Sequence, residues 1–224
     1  MIRGVIFDFD GTLSDSIPVV IELLDEVFAE FGIDVDAKKA EPLIGMDAWK
    51  IIEEITGIHD RKRIDDIVQR WAKKYVDAVL VENRIKLFDN VKNVLEKLRN
   101  MGLRIGISTS IISPIANKFI EHYGLTNYID ALSGADEVER GKPAPDIFIK
   151  TADKLNLPPE NTIVVGDAEY DILGGKAMGA ITVLFAPNST KNNTIKPDFE
   201  ITNLDDLIDL IKNMQKSKIR ISSK

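Results

Sequence analysis

The sequence has no cysteine, which excludes disulfide bonds, catalytic thiols and zinc sites built on thiolates. Basic side chains are in the minority, because 29 Lys and Arg stand against 36 Asp and Glu, a net charge of −7. Nucleic acids and anionic membranes are bound by basic surfaces, so we expect neither as a partner. No apolar run approaches the roughly 20 residues of a membrane span. A chain without cysteine suits a reducing compartment, and we expect a cytoplasmic protein.

The remaining composition is that of an ordinary globular protein, with 44% hydrophobic and 29% charged residues among 224. A chain of this length exceeds a minimal domain but is short for two large ones. We therefore expect one core domain with a smaller accessory domain.

Five short runs of β-branched and other apolar residues predict strands. Most are continuously apolar rather than alternating, which is typical of strands buried on both faces of a parallel sheet. The predicted strands are residues 4–7, 103–107, 128–132, 162–165 and 181–185. Helical patterns separate the later strands, over residues 91–100, 114–122, 146–155 and 172–178. This alternation predicts an α/β fold with a doubly wound, Rossmann-like parallel sheet.

The interval after the first strand is far longer than one crossover connection needs. Its helical patterns cover residues 18–31, 47–55 and 63–81. We therefore expect an all-helical cap domain, residues 14–85, inserted into a core domain made of residues 1–13 and 86–224. At the other end of the chain, a helix over 204–214 is followed by a basic tail that we expect to be frayed.

Two carboxylates, Asp8 and Asp10, stand two residues apart at the end of the first predicted strand. Side chains at this spacing can project toward one side, and two anions placed together are costly unless a cation joins them. An ordinary turn after a strand would account for Asp10 and for Gly11, which follows it. It does not account for Asp8, which still belongs to the apolar run.

Small hydroxyl residues, Ser108 and Thr109, end the second predicted strand. They can offer side-chain and backbone donors to an oxyanion beside a helix N-terminus. Serine and threonine are also ordinary helix caps, so this pattern alone leaves both interpretations open.

Two further segments carry charged residues at the ends of predicted elements. Lys142 lies in a proline-rich turn, where its position would be fixed, and an ammonium held there could neutralise a transferring phosphoryl group. Asp167 ends the fourth strand, and Asp171 follows it by one helical turn. The two carboxylates could hold Mg²⁺, or could simply cap a helix and favour its dipole.

All of these residues follow the carboxyl ends of predicted strands. In open α/β sheets, ligands bind at that edge. A nucleophilic carboxylate, further carboxylates for a metal, one fixed lysine and hydroxyl donors together are what phosphoryl transfer requires.

The segment 8–13, DFDGTL, followed by Asp15 and Ser16, resembles the first motif of the haloacid-dehalogenase-like hydrolase superfamily. Ser108, Lys142 and the Asp167 segment resemble its second, third and fourth motifs, in the same order. The helical insertion resembles the cap of the branch that contains phosphoglycolate phosphatase and β-phosphoglucomutase. The resemblance extends from residue 1 to about residue 185.

This resemblance implies a phosphatase that hydrolyses a small phosphorylated metabolite, with phosphoglycolate as the first guess. Asp8 would be the nucleophile that forms an aspartyl-phosphate. Asp10 would protonate the leaving oxygen and then activate water. An oxygen leaving group is favoured because the dehalogenases of this superfamily lack the second aspartate.

The resemblance also implies a cofactor and an anion clamp. Mg²⁺ would be held by Asp8, by the Asp10 carbonyl and by Asp167, with Asp171 in support. The phosphoryl oxygens would be bound by Gly11, by the Ser108 hydroxyl and by the Thr109 N–H, with Lys142 balancing the charge.

Specificity is expected in the cap loop, at Gly45, Asp47 and Trp49. β-Phosphoglucomutases carry a lysine and an arginine around the equivalent glycine, where this chain has Ile44 and Ala48, so a sugar-phosphate mutase is disfavoured. Three alternatives stay open at this point: a mutase or phosphotransferase, an inorganic pyrophosphatase, and a switch module that is phosphorylated on Asp8. The second aspartate argues against the switch, because it would speed loss of the phosphate.

Overall fold

The chain folds around one six-stranded, all-parallel β-sheet, as seen in a computed structural model that describes residues 1–187 and 195–222, with side chains up to residue 216. Its strands are β1 (Gly4–Phe7), β2 (Arg104–Ser108), β3 (Ala131–Ser133), β4 (Thr162–Gly166), β5 (Ile181–Phe185) and β6 (Phe199–Ile201). They lie in the order β3-β2-β1-β4-β5-β6, so the first strand is central and the chain winds outward in both directions. The predicted doubly wound α/β fold is confirmed.

Eight α-helices accompany the sheet in the described part of the chain. They are α1 (Ile17–Glu30), α2 (Ala48–Thr56), α3 (Arg61–Leu80), α4 (Val91–Asn100), α5 (Ser113–His122), α6 (Asp146–Lys154), α7 (Glu169–Met178) and α8 (Asp206–Ser222). None has the length and apolar character that crossing a bilayer requires.

The register of the central strands determines where the predicted site residues meet. Phe7, the last residue of β1, pairs with Ile107 on one side and Val165 on the other. The residues that follow these positions therefore leave the sheet at one level of its carboxyl edge. Every residue of β1 is buried, as expected for a strand with helices on both faces.

Helices α1, α2 and α3 lie in sequence between β1 and β2, and α1 and α2 both pack against α3. Their buried faces carry aliphatic residues at helical spacing, including Leu24 on α1, Ile52 on α2 and Ile67 on α3. The indole N–H of Trp71 donates to the Val20 carbonyl at 3.2 Å and so links α3 to α1. The region predicted to be helical is helical, with one addition, a 3-10 helix over Ala37–Leu43 that contains Pro42.

Two differences from the expected elements concern the end of the chain. Strand β6 was not predicted, because it has three residues, two of them exposed, and so lacks a continuous apolar run. The predicted end of the last helix at residue 214 is wrong, since α8 continues to Ser222. No glycine or proline lies between residues 205 and 222 to stop it. Of the tail expected to fray, residues 223–224 lie outside the described part.

Candidate active site

Asp8 is placed by the sheet itself. It follows β1, and its N–H donates to the Val165 carbonyl of β4 at 2.9 Å, which extends the ladder by one residue. Its side chain is almost completely buried, with the residue 3% exposed. A buried carboxylate requires partners, since an isolated charge in the interior is costly.

Three buried carboxylates converge at this point. Asp8, Asp167 and Asp171 each offer an oxygen, and these oxygens lie within 4.8 Å of one another. Burial raises the pKa of Asp8 well above its usual range, and the negative charges of Asp171 and Asp167 raise it further, although Lys142 opposes them. Such a cluster is stable as anions only if cations join it.

Lys142 supplies part of that positive charge. Its ammonium contacts Oδ1 of Asp8 and lies 2.7 Å from Oδ1 of Asp171, and the residue is 1% exposed. The other oxygen of Asp171 accepts the N–H of Ala168 at 3.2 Å. Three carboxylates and one ammonium leave two negative charges, −3 + 1 = −2, which one divalent cation would neutralise. Carboxylate oxygens are the ligands that Mg²⁺ and similar hard cations prefer, so the cluster fits a divalent metal.

Two glycines allow the carboxylates to approach the backbone this closely. A Cβ on Gly11, whose φ is +81°, would lie 2.5 Å from Oδ2 of Asp167. A Cβ on Gly166 would lie 2.3 Å from the carboxylate of Asp171. The hydroxyl of Thr12 donates to Oδ1 of Asp167 at 3.2 Å. Larger residues at either glycine would displace the acidic cluster, so Gly11 acts on the site through Asp167.

Asp10 lies in a different environment, beside hydroxyl groups rather than carboxylates. Its Oδ1 accepts from the Ser16 hydroxyl at 2.7 Å and from the Tyr75 hydroxyl of α3. Burial raises the pKa of Asp10, and these two donors, together with the charge of Lys142, hold the rise back. A raised pKa favours the protonated form, which is the form that donates a proton to a leaving group.

The two hydroxyl residues at the end of β2 face different surroundings. Ser108 is fully buried, its hydroxyl lies 2.8 Å from the Thr151 hydroxyl of α6, and it does not line the cavity at the active site. Thr109 does line that cavity, although its N–H donates to the Ser133 carbonyl at 3.1 Å. Ser108 is the last residue of β2 and its side chain lies toward α6, whereas Thr109 lies just beyond the strand and its side chain faces the cavity.

The cap loop reaches the core through its backbone. The Ser110 hydroxyl donates to the Gly45 carbonyl at 2.5 Å, and a Cβ on Gly45 would lie 3.6 Å from Ala168. Asp47 is exposed and accepts the Trp49 N–H at 2.9 Å, so it caps α2. The Trp49 indole donates to Asp65 at 2.7 Å. Of the three predicted specificity residues, Gly45 lines the cavity, whereas Asp47 and Trp49 do not.

A cavity of about 350 Å³ joins these elements. At one end it is lined by Asp8, Asp10, Thr109 and Ser110. The remaining wall comes mostly from apolar side chains of the cap loop, of α2 and α3, and of the segment after β2. Its position at the carboxyl edge of a doubly wound sheet is the position where such folds bind ligands.

Four of these site residues were missed from the sequence. Thr12 and Ser16 lie inside the first motif, so their nearness to Asp8 was a usable signal. Ser110 lies one residue past the predicted hydroxyl pair. Tyr75 is 65 residues from Asp10, and no local pattern marks it.

Comparisons with known proteins agree on one family. The sequence model of the haloacid dehalogenase-like hydrolases matches residues 5–185. A phosphoglycolate phosphatase of Aquifex aeolicus is 28% identical over 212 residues, which cover 94% of this chain and 97% of that protein. Fructose-1-phosphate phosphatase YqaB of Escherichia coli is 30% identical over 179 residues, covering 79% and 92%. The crystal structure of β-phosphoglucomutase from Clostridium difficile shares the fold, with a TM-score of 0.84 at 21% identity and coverage of 98% and 99%.

Proposed function

We propose that this chain, which belongs to the haloacid dehalogenase-like hydrolase family, transfers the phosphoryl group of a small phosphate ester to Asp8 and then to water. Its predicted enzyme class, a phosphatase, is confirmed by the phosphatases among its relatives. The observation that carries the proposed chemistry is the position of Asp8, buried at the end of β1, in contact with Lys142 and at one end of the cavity.

In the first step a carboxylate oxygen of Asp8 forms a bond to phosphorus, and the bond from phosphorus to the ester oxygen breaks. Asp10 gives its proton to that oxygen, and the alcohol leaves. In the second step Asp10, now a carboxylate, takes a proton from water, whose oxygen attacks phosphorus. The bond from phosphorus to the Asp8 oxygen breaks, inorganic phosphate leaves, and the carboxylate of Asp8 is restored.

The metal in this proposal is Mg²⁺, held by the carboxylates of Asp8 and Asp167 and by the backbone carbonyl of Asp10. A bound Mg²⁺ supplies charge stabilisation for the phosphoryl oxygens. Asp171 supports the site indirectly, because both its oxygens are engaged, one with Lys142 and one with the Ala168 N–H. The net charge of −2 in the cluster supports a divalent ion.

Contact with the phosphoryl oxygens is assigned to the Thr109 hydroxyl, and Lys142, which contacts Asp8, balances the negative charge of the transferring group. Ser108, which the motif pattern favoured for this role, has its hydroxyl beside α6 instead. Gly11 contributes by leaving room for the carboxylate of Asp167.

Residues 14–85 are proposed to act as a cap domain over this site, on the core formed by residues 1–13 and 86–224. Two contacts support the proposal. Tyr75 on α3 donates to Asp10, and the carbonyl of Gly45 accepts from Ser110. Both join the insertion to residues that line the cavity. The proposed location of the enzyme is the cytoplasm.

Hydrolysis of p-nitrophenyl phosphate with Mg²⁺ tests the function. Asp8→Asn is expected to lower kcat on the order of 10⁴-fold or more, as other nucleophile deletions do. Asp25→Asn is the matched control, since it makes the same change at an exposed position of α1. An Asp8→Asn enzyme as active as the control would overturn the proposal.

A further inference from the structure

The active-site cavity has two chemically different ends. Its acidic and hydroxyl groups, Asp8, Asp10 and Thr109, are gathered where the phosphoryl group would react. The opposite wall, toward the cap, is formed by aliphatic, thioether and aromatic groups. Five of these side chains are Met46, Ile51, Val68, Trp71 and Val76.

Polar groups on the cap side are nearly all engaged elsewhere. The Trp71 indole donates to the Val20 carbonyl, and the Tyr75 hydroxyl donates to Asp10. Gln69, at an exposed position of α3, supplies an amide. A hydroxyl-rich alcohol bound against this wall would lose hydrogen bonds to water without replacing them, which is unfavourable.

Positive charge is also missing from the wall. Among the residues that the structure describes, no lysine, arginine or histidine lines the cavity. Carboxylates and second phosphates are bound in proteins by such groups, above all by arginine. The wall therefore does not suit a substrate with a second anionic group, such as phosphoglycolate.

One exposed side chain indicates where an apolar group would enter. Ile112 is 45% exposed although it is large and apolar, and it lines the cavity after β2. The apolar lining of the cavity therefore reaches the protein surface at this residue.

We propose, on the basis of the phosphatase function above, that the substrates are phosphate monoesters of apolar alcohols. If each non-hydrogen atom takes the roughly 30 Å³ of a liquid water molecule, the cavity holds on the order of ten such atoms. That room fits the phosphoryl group with a linear or branched alkyl group, or an aromatic ring, of about six carbon atoms. The phosphoryl group lies against Asp8, and the hydrocarbon lies against Met46, Trp71 and Val76.

Matched pairs of esters test this proposal, because all four are esters of primary alcohols. Propyl phosphate is compared with glycerol 3-phosphate, and hexyl phosphate with glucose 6-phosphate. From propyl to hexyl phosphate we expect kcat/KM to rise about three- to fourfold for each methylene, the gain from burying one methylene. In each pair we expect the alkyl ester to be hydrolysed at least about tenfold more efficiently than the hydroxylated one.

A charge variant tests the wall itself. Ala72 lines the cavity from an exposed position of α3. Ala72→Lys therefore adds an ammonium there without the free-energy cost of burying a charge. The expected result is a lower kcat/KM for hexyl phosphate and a higher one for phosphoglycolate. Ala29→Lys makes the same change at an exposed helical position away from the cavity and should leave both values unchanged.

The outcomes separate this inference from the function on which it depends. If no ester is hydrolysed, including p-nitrophenyl phosphate, the phosphatase proposal itself fails. If p-nitrophenyl phosphate and the hydroxylated esters are hydrolysed but kcat/KM does not rise with alkyl length, the phosphatase stands and the apolar substrate class is wrong. If kcat/KM rises with alkyl length and Ala72→Lys reverses that preference, both the phosphatase function and the apolar substrate class are supported.

Discussion

The hydroxyl of Tyr75, on α3 of the helical insertion, donates a hydrogen bond to Oδ1 of Asp10, which follows β1 in the core. The insertion thus contacts the residue that is proposed to move the proton. Ser16 donates to the same oxygen, so two donors stabilise the carboxylate of Asp10 while burial favours its protonated form. The balance between these effects sets the pH range in which Asp10 is a proton donor.

Replacing Tyr75 by phenylalanine should change that range. Tyr75 stabilises the carboxylate and so lowers the pKa of Asp10, and its loss should raise this pKa. Asp10 must be protonated to release the alcohol, so the basic limb of the kcat/KM profile for an alkyl phosphate should move to higher pH. Tyr128→Phe, outside the cavity, is the control. A profile for Tyr75→Phe that coincides with the control would show that Tyr75 does not tune Asp10.

The role of Asp10 as an acid predicts a dependence on the leaving group. Asp10→Asn should slow hydrolysis of an alkyl phosphate by about 10²- to 10⁴-fold, the usual contribution of general acid catalysis. It should slow p-nitrophenyl phosphate much less in the transfer step, because that leaving group needs little protonation. Single-turnover rates for the two esters measure this directly. Equal losses on both would contradict the assignment.

Removal of the metal should abolish turnover. The acidic cluster of Asp8, Asp167 and Asp171 carries two uncompensated negative charges, so chelation with EDTA should inactivate the enzyme and Mg²⁺ should restore it. Ca²⁺ should support activity poorly, because it prefers more ligands at longer distances than Mg²⁺ does. Full activity after exhaustive chelation would exclude the proposed metal.

Ser108, the last residue of β2, and Thr109, which follows it, should have different functions. Thr109→Val removes a donor to the phosphoryl group and should lower kcat on the order of 10²-fold. Ser108→Ala should have a much smaller effect on kcat. It should instead lower the free energy of unfolding by about 0.5–1.5 kcal/mol, because the buried Thr151 hydroxyl loses one partner and keeps its hydrogen bond to the Ile147 carbonyl. Kinetics and urea unfolding of both variants measure the difference. A large kcat loss in Ser108→Ala with unchanged stability would reverse the assignment.

Much of the fold was predictable because its strands are continuous apolar runs and its helices have regular apolar spacing. Asp8, Lys142, Asp167 and Asp171 could be brought together from sequence because each lies in a segment that comes after a predicted strand, and parallel strands end at one edge of the sheet. Strand β6 was not predicted from the sequence, because a strand that pairs at the exposed edge of a sheet needs no apolar run.

Side-chain direction was less predictable than position. Ser108 and Thr109 are adjacent at a strand end. An error of one residue in the predicted end of the strand changes which of the two side chains faces the cavity. Asp47 and Trp49 were expected at the substrate because they follow Gly45. The Asp47 carboxylate instead caps the start of α2 by accepting the Trp49 N–H. The link from Tyr75 to Asp10 depends on how α3 packs over the sheet, which is a property of the whole fold.

The most direct test of the mechanism is to trap the phosphorylated enzyme. Asp10→Asn enzyme mixed with p-nitrophenyl phosphate and Mg²⁺ should accumulate the aspartyl-phosphate, because the base that activates water is missing. Borohydride reduction converts an aspartyl-phosphate to homoserine, which peptide mass spectrometry locates. We predict homoserine at position 8 and at no other aspartate. Release of p-nitrophenol with Asp8 left unmodified after reduction would contradict a covalent mechanism at this residue.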